Sequence, residues 1–304
     1  MKPSRAVTSS LVSVIVPTFD REAFIAEAIE SVQAQTYPHW ELIIVDDGSR
    51  DHSADIIQRY AAKDRRIHYY FQENQGQSVA RNLGLQKSAG DFICFLDSDN
   101  RWLPEKLSQC LQIFERLPDV QVVYGDIITI DEQGNEITRD NMPRYSGMIA
   151  PRLIKDNFVT MNTAMARRGC FDELGGMSGQ RRVADDYDLW LRFSARYRFH
   201  YEPQYMAEYR VMKDQISSDK IKRFDSTEVI LKDFRLRFPD AMSQQEFDRG
   251  FAFFYTRKAR YLASVGKKGK ALKEVARAVR CSPLYLAGWR SLLAITLRTS
   301  SKNE

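Results

Sequence analysis

The chain has 304 residues, 43% of them hydrophobic and 28% charged, with a net charge of +5, which is the balance of a globular protein long enough for a large domain with an appendage. Its four cysteines, Cys94, Cys110, Cys170 and Cys281, form no C-x-x-C pair, which argues against a disulfide framework or a thiolate zinc site and suits a reducing compartment. No apolar run reaches the ~20 residues of a membrane-spanning helix, and Leu11 to Val16 before Pro17 is too short for a signal segment, so neither a span nor a secretion signal is expected.

Val12 to Val16 is a β-branched run that reads as a buried strand; Pro17-Thr18-Phe19-Asp20 turns the chain, and Glu22 to Val32 repeats its apolar residues at helical spacing. Glu41 to Val45 is a second buried strand, ending in Asp46-Asp47-Gly48-Ser49. A helix over Asp51 to Ala62, a short strand over Ile67 to Phe71 and a glycine turn at Gly76 follow, and the next helix carries Arg81 one turn from its start. The strand Phe92 to Leu96 then stops at Asp97-Ser98-Asp99-Asn100. This alternation predicts βαβ units and an α/β fold, a mainly parallel sheet flanked by helices.

Pro104 to Leu117 reads as a helix, and Val120 to Tyr124 and Ile127 to Ile130 as two strands. Arg139 to Phe158 has no period and is expected to be a loop near the site; within it Arg144 to Met148, with Phe158 to Met165, is expected to shape an acceptor pocket. Arg167 to Leu174 is helical up to Gly175-Gly176, and Asp185 to Phe193 opens with acids that suit a helix start. Sheet signals cease after Tyr209-Arg210, and helices are expected over Phe254 to Val265, Lys270 to Arg280 and Leu284 to Leu297. The domains predicted are residues 1–219, with a nucleotide-binding part over about 11–130 and an acceptor part over about 131–219, and a helical extension over 220–304.

That extension is basic: from Arg257 to Glu304, twelve Lys and Arg stand against two acidic residues. It reads either as a cap on the catalytic domain or as a contact with an anionic membrane surface, with Tyr285, Leu286, Trp289, Leu292, Leu293 and Leu297 as the apolar side. Nucleic acid is not expected as a partner, since no aromatic stacking platform accompanies the charge.

Three acidic clusters, Asp46-Asp47, Asp97/Asp99 and Asp185-Asp186, fall at predicted element ends, where open α/β sheets bind ligands. Asp97 and Asp99 suit Mg²⁺ or Mn²⁺ bridging two phosphates, although Asp-x-Asp alone also fits a polar turn. Arg81 can add a bidentate phosphate contact, Asp47 can accept a ring N–H of a nucleobase, and Asp186, away from the metal, can take a proton from an acceptor hydroxyl. There is no G-x-G-x-x-G after the first strand and no P-loop.

Taken together, Val14 to Phe19, Ser31 to Thr36, Glu41 to Ser49, Gly76 to Gly84 and Phe95 to Asp99 resemble glycosyltransferase family 2 over roughly residues 11–217. The resemblance implies the GT-A fold and an inverting transfer of a sugar from a nucleotide-diphosphate sugar to an acceptor hydroxyl in polysaccharide, cell-surface glycan or glycolipid synthesis. It implies a UDP-sugar as the favoured donor, with GDP- or dTDP-sugars as alternatives, Mn²⁺ or Mg²⁺ as cofactor, a glycan or lipid-linked acceptor, and a place in the cytoplasm or on the inner face of the plasma membrane. By the same resemblance Pro17, Thr18, Phe19, Glu22, Asp46 and Asp47 line the nucleoside pocket, Arg81 lies by the diphosphate, and Asp97 and Ser98 lie by the ribose. Asp99 with Asp97 holds the metal, and Asp186 is the base with Asp185 in reserve. The sequence departs from the family at Tyr209-Arg210-Val211-Met212, where the family has a histidine at the last position; Lys213 is the expected substitute contact with phosphate. The Gln-x-x-Arg-Trp motif of processive synthases is missing, so addition of a single sugar is expected, not polymerisation. Another metal-dependent nucleotide-sugar enzyme, or an inactive relative that only binds, is the alternative reading.

Overall fold

The computed structural model describes residues 7–139, 142–178, 184–212 and 220–297. In chain order its elements are β1 (Val12–Thr18), α1 (Ile25–Gln33), β2 (Trp40–Asp46), α2 (Ser53–Ala61), β3 (Ile67–Phe71), α3 (Gln77–Lys87), β4 (Phe92–Phe95), β5 (Arg101–Trp102), α4 (Lys106–Arg116) and β6 (Val120–Ile130). There follow β7 (Glu136–Arg139), α5 (Ala150–Leu153), β8 (Met165–Arg167), α6 (Arg168–Leu174), α7 (Asp185–Ser194), β9 (Arg198–Arg210), α8 (Lys220–Arg237), α9 (Gln244–Ser264), α10 (Lys268–Cys281) and α11 (Leu286–Leu297). The chain forms two compact units, residues 1–148 with 158–218, and residues 149–157 with 219–304.

The first unit is built on a sheet with strand order β3-β2-β1-β4-β8-β6-β9-β5, and β7 pairs with β6. Strands β3, β2, β1 and β4 are parallel, whereas β8 runs antiparallel to both β4 and β6. All seven residues of β1 and all four of β4 are buried, the pattern of strands covered on both faces. Side chains alternate between the faces. Val12, Val14, Val16, Leu42 and Ile44 join Ile25, Ile29 and Val32 of α1 and Ile57 of α2, while Ile43 and Val45 meet Ala80 and Leu83 of α3. Helix α3 lies close on β1 because Gly84 has no side chain: a Cβ there would sit 2.4 Å from Ile15 Cγ2. Parallel register sends the ends of β1, β2 and β4 to one edge, where Thr18 pairs with Asp46 and Asp97 follows directly after Leu96.

Several elements differ from the sequence-based expectation. The two strands expected around Gly125 are one, β6; the register against β9 shifts on both sides of Gly125, where a Cβ would meet Gln204 O at 2.7 Å, so the glycine makes a bulge and not a break. The segment 139–158 is not all loop, since it contains α5 and Gly147 bridges to Phe199. Strands β5 and β8 are two and three residues long, too short to show a period, and β9 carries Pro203 and many charges among its thirteen residues.

In the second unit, Ala259 and Leu262 of α9, Ala271 and Val275 of α10 and Ile295 of α11 form a core. Gly266, at φ 77°, makes the turn from α9 to α10. Helix α9 starts well before Phe254, at a capping box in which Ser243 and Glu246 satisfy each other's backbone N–H groups. Glu228 of α8 sits among Lys232, Lys258 and Arg277, with oxygen–nitrogen distances of 2.8, 3.0 and 2.5 Å. Of the expected apolar side of α11, Leu292 packs on the core, while Leu286, Trp289, Leu293 and Leu297 are exposed. Among the described residues no helix is long and apolar enough to cross a membrane.

Candidate active site

The acids at the carboxyl edge are joined by one buried cation. Helix α3 starts at that edge, so Arg81, one turn in, reaches back across it. Its Nη1 donates to Asp185 Oδ2 at 2.8 Å and its Nη2 to Asp97 Oδ1 at 2.6 Å; Ser78 Oγ, on the same helix face, donates to Asp185 at 2.9 Å. Arg81 is 3% exposed. Nη1 and Nη2 thus hold Asp185 and Asp97 in place, while the buried Nε has no hydrogen-bond partner among the described residues.

Ala184, in left-handed backbone at φ 61°, turns the chain into α7, whose first two residues are Asp185 and Asp186. The two carboxylates have different surroundings. Asp185 is buried, accepts from Ser78 and Arg81, and takes the backbone N–H of Asp186 at 3.0 Å; Asp186 is half-exposed. Trp190, further along α7, is a core residue, packed edge-on against Phe193 and Phe199.

Asp97 is gripped from a second side by Asn162, whose Oδ1 accepts the Asp97 backbone N–H at 2.8 Å and whose Nδ2 donates to Asp97 Oδ2 at 2.9 Å. Ser98 is buried. The Asp99 loop is fastened by Arg210, a fully buried side chain at the end of β9: its Nε donates to Asp99 O at 3.0 Å, its Nη2 to Glu27 at 2.7 Å, and its backbone N–H to Asn100 Oδ1 at 2.7 Å. Asp99 keeps its carboxylate clear of these fastenings. Burial, and next the Asp97 charge, push that carboxyl up to about 6, against the pull of Arg21, whose Nε lies 3.5 Å from Asp99 Oδ2. Asn162, Ser78 and Arg21 escape sequence reasoning because lone polar residues outside acidic clusters carry no pattern; Arg210 stood beside the departing Met212 and signalled only by its place.

Among the residues expected to line a nucleoside pocket, Pro17 and Thr18 pair with Val45 and Asp46. Thr18 Oγ1 is buried without a hydrogen-bond partner among the described residues. Asp46 accepts from Ser49 N at 2.8 Å and Tyr69 OH at 3.0 Å. Asp47 accepts from Gln72 Nε2 at 2.6 Å and from the Gln75 and Gly76 N–H groups at 2.8 Å each, which fixes the Gly76 turn at the start of α3. Three of its roughly four acceptor sites are thus filled, leaving one. Phe19 lies under the Arg50 guanidinium, and Glu22 is exposed and accepts from His52 N at the start of α2. Lys213 lies outside the described residues.

Among the described residues no three His, Cys, Asp or Glu side chains form a metal-holding group. The donor set still fits a hard divalent cation: burial, and next the Asp97 charge, raise the Asp99 carboxyl, a cation between the two carboxylates offsets both, and Mg²⁺-like ions use one or two carboxylates completed by substrate phosphate and water. Asp97, already bound by Arg81 and Asn162, is the weaker of the two candidates.

The family model for glycosyl transferase family 2 matches residues 13–186, and the chain belongs to glycosyltransferase family 2. It is 32% identical over 241 residues to the putative teichuronic acid biosynthesis glycosyltransferase TuaG of Bacillus subtilis, covering 76% of this chain and 91% of that one. An uncharacterized glycosyltransferase of Haemophilus influenzae is 39% identical over 215 residues, 70% of this chain and 84% of that one. An uncharacterized glycosyltransferase of Rickettsia bellii is 34% identical over 61% of this chain, which spans only 26% of that protein's length. In fold, the chain is similar to S. aureus TarS 1-349 in complex with UDP-GlcNAc, with a TM-score of 0.72, 16% identity, and coverage of 96% of this chain and 93% of that one. It is also similar to the mannosyltransferase PcManGT of Pyrobaculum calidifontis in complex with GDP-Man and Mn²⁺, with a TM-score of 0.61, 18% identity, and coverage of 97% and 88%. The fold is therefore the GT-A architecture, with a helical C-terminal region present.

Proposed function

We propose that this protein transfers one sugar from a nucleotide-diphosphate sugar to an acceptor hydroxyl with inversion, in the synthesis of an envelope polysaccharide or glycolipid. The observation that carries the reading is the convergence of Asp97, Arg81 and Asp185 at the carboxyl edge, with Asp99 and Asp186 beside them. TuaG supports the polysaccharide class, and the ligands of TarS and PcManGT support a UDP- or GDP-sugar donor, with UDP favoured.

In this reading the nucleoside enters along Pro17, Thr18 and Phe19, and Asp47 offers its remaining acceptor site to a ring N–H. Glu22, turned to α2, contributes to the shape of this loop and not to a direct contact. Asp99, with Asp97, holds Mn²⁺ or Mg²⁺, which supplies charge neutralisation at the diphosphate when bound. Asp186 takes the proton of the acceptor hydroxyl as its oxygen attacks the anomeric carbon from the face opposite the diphosphate, and one displacement inverts the centre. Asp185 is occupied by Arg81 and Ser78, so it orients α7 and leaves the proton transfer to Asp186.

The exposed Leu286, Trp289, Leu293 and Leu297 of α11, with the basic surplus around them, support attachment to an anionic membrane surface on the cytoplasmic side, where a lipid-linked acceptor resides. The donor reading is tested by thermal shift with UDP-, GDP- and dTDP-sugars in the presence of Mn²⁺, since a ligand of the folded state raises the melting temperature. At least one donor is expected to stabilise the protein and to release its nucleotide when an acceptor is added; a chain that no donor stabilises does not have this function.

A further inference from the structure

The loop after β1 presents a cation to the proposed metal ligand. Asp20 adopts left-handed backbone at φ 49°, a conformation uncommon outside glycine, and it is held there from several sides. Its N–H donates to Ser49 Oγ at 3.0 Å, and its carboxylate accepts the Arg50 N–H at 2.7 Å and Arg50 Nη2 at 2.9 Å. The next residue, Arg21, donates its N–H to Ser53 Oγ at 2.9 Å and turns Nη1 back onto Asp20 O at 3.0 Å and Phe19 O at 3.4 Å. From this position its Nε reaches to 3.5 Å of Asp99 Oδ2.

The two guanidiniums of the site are held very differently. Arg81 is buried and grips two carboxylates at 2.6 and 2.8 Å, so it is fixed. Arg21 has a side chain 35% exposed, one ion pair at 3.5 Å and Nη1 contacts only with the neighbouring carbonyls of Phe19 and Asp20, so no buried carboxylate pair fixes it. A guanidinium and a divalent cation repel one another and compete for the same carboxylate oxygen. The fork of an arginine, in contrast, matches a phosphate well. Departure of the sugar also leaves one more negative charge on the nucleoside diphosphate than the donor carried.

We propose that Arg21 is an exchangeable counter-cation of the donor site: it sits on Asp99 in the free protein, yields Asp99 to the divalent cation, and turns onto the diphosphate that arrives with that cation. Arg21 then opposes binding of the metal alone and favours binding of the nucleoside diphosphate, two effects of opposite sign on one residue. The proposal rests on the donor-site reading given above.

The test uses the full chain as wild type, Arg21→Gln and Arg21→Lys, with equal melting temperatures as the check on folding. Calorimetry measures Mn²⁺ alone, and then UDP and GDP at saturating Mn²⁺. Arg21→Gln is expected to bind Mn²⁺ several-fold more tightly and the preferred nucleoside diphosphate about tenfold more weakly, the loss of one charge-assisted hydrogen bond; Arg21→Lys falls between it and the wild type. If both affinities move in the same direction, or neither moves, the proposal is overturned while the donor site stands. If the wild type binds neither Mn²⁺ nor either nucleotide, the donor-site reading fails and the proposal falls with it.

Discussion

Arg81 and Asp185 meet at 2.8 Å, and the other arm of the same guanidinium holds Asp97 at 2.6 Å. One buried cation thus joins the end of β4 to the start of α7, across 104 residues of sequence on the Asp185 side. The side of the site proposed to hold donor and metal and the side proposed to carry the base are positioned against each other by this single residue.

Removing that cation leaves Asp97 and Asp185 with neutral donors only. Breaking a buried pair costs about 3–5 kcal/mol, and because the Asp97 side chain is 29% exposed the lower part of that range is expected for Arg81→Met. Arg81→Lys keeps the charge without the fork and is expected to recover only part of the loss. Urea denaturation measures both, and a loss below about 1 kcal/mol for Arg81→Met contradicts the role given to Arg81.

Gly84→Ala sets two effects against each other. Replacing a helical glycine favours the helix by up to about 1 kcal/mol, but the new Cβ would lie 2.4 Å from Ile15 Cγ2, and overpacking of a strand–helix contact costs about 1–3 kcal/mol. The clash is expected to win, lowering stability and displacing Arg81 so that turnover also falls. A stabilised, fully active Gly84→Ala protein runs against the packing described.

Glu228 gives the second unit an acid-sensitive stability. Burial alone raises its pKa, but the hydrogen bonds from Arg277, Lys232 and Lys258 outweigh this and bring the carboxyl down to about 2 from an ordinary 4.5. A carboxyl depressed on folding stabilises fully above its unfolded pKa, and that stability is lost as pH falls from about 4.5 towards 2, on the order of 1–3 kcal/mol. Glu228→Gln is expected to be less stable at pH 7 and to show a flatter fall across that window in chemical denaturation. Parallel acid limbs for the two proteins leave Glu228 without this part.

Attachment through α11 is read by flotation with vesicles. The wild type is expected to float with anionic vesicles at low salt and less so at high salt, and the double variant Trp289→Ala, Leu293→Ser to stay behind. Absence of flotation in the wild type removes the membrane from the account.

The parallel half of the fold was legible because apolar strands of four to seven residues and amphipathic helices repeat there, and the acids that follow β2 and β4 mark the site edge in the sequence itself. The other half was hidden. Strands β5 and β8 are held by pairing and not by any pattern of their own, and β9 mixes charges with Pro203. Within the site, the acidic clusters and Arg81 could be read, but their partners could not: Asn162 grips Asp97 from 65 residues away, and Arg210 fastens Asp99 from 111. No local spacing encodes contacts of that range, so the carboxylates that Arg81 Nη1 and Nη2 hold could not be read from the sequence.

The division of labour at the edge is tested most directly by comparing Asp186→Asn and Asp99→Asn with the wild type, measuring nucleoside diphosphate affinity with Mn²⁺ and acceptor-dependent nucleotide release in the same preparations. Asp186→Asn is expected to keep nucleotide affinity within about twofold while release falls on the order of 10²–10⁴-fold, the contribution of a general base. Asp99→Asn is expected to lose the Mn²⁺-dependent part of the affinity itself. Unchanged release in both variants would contradict the account.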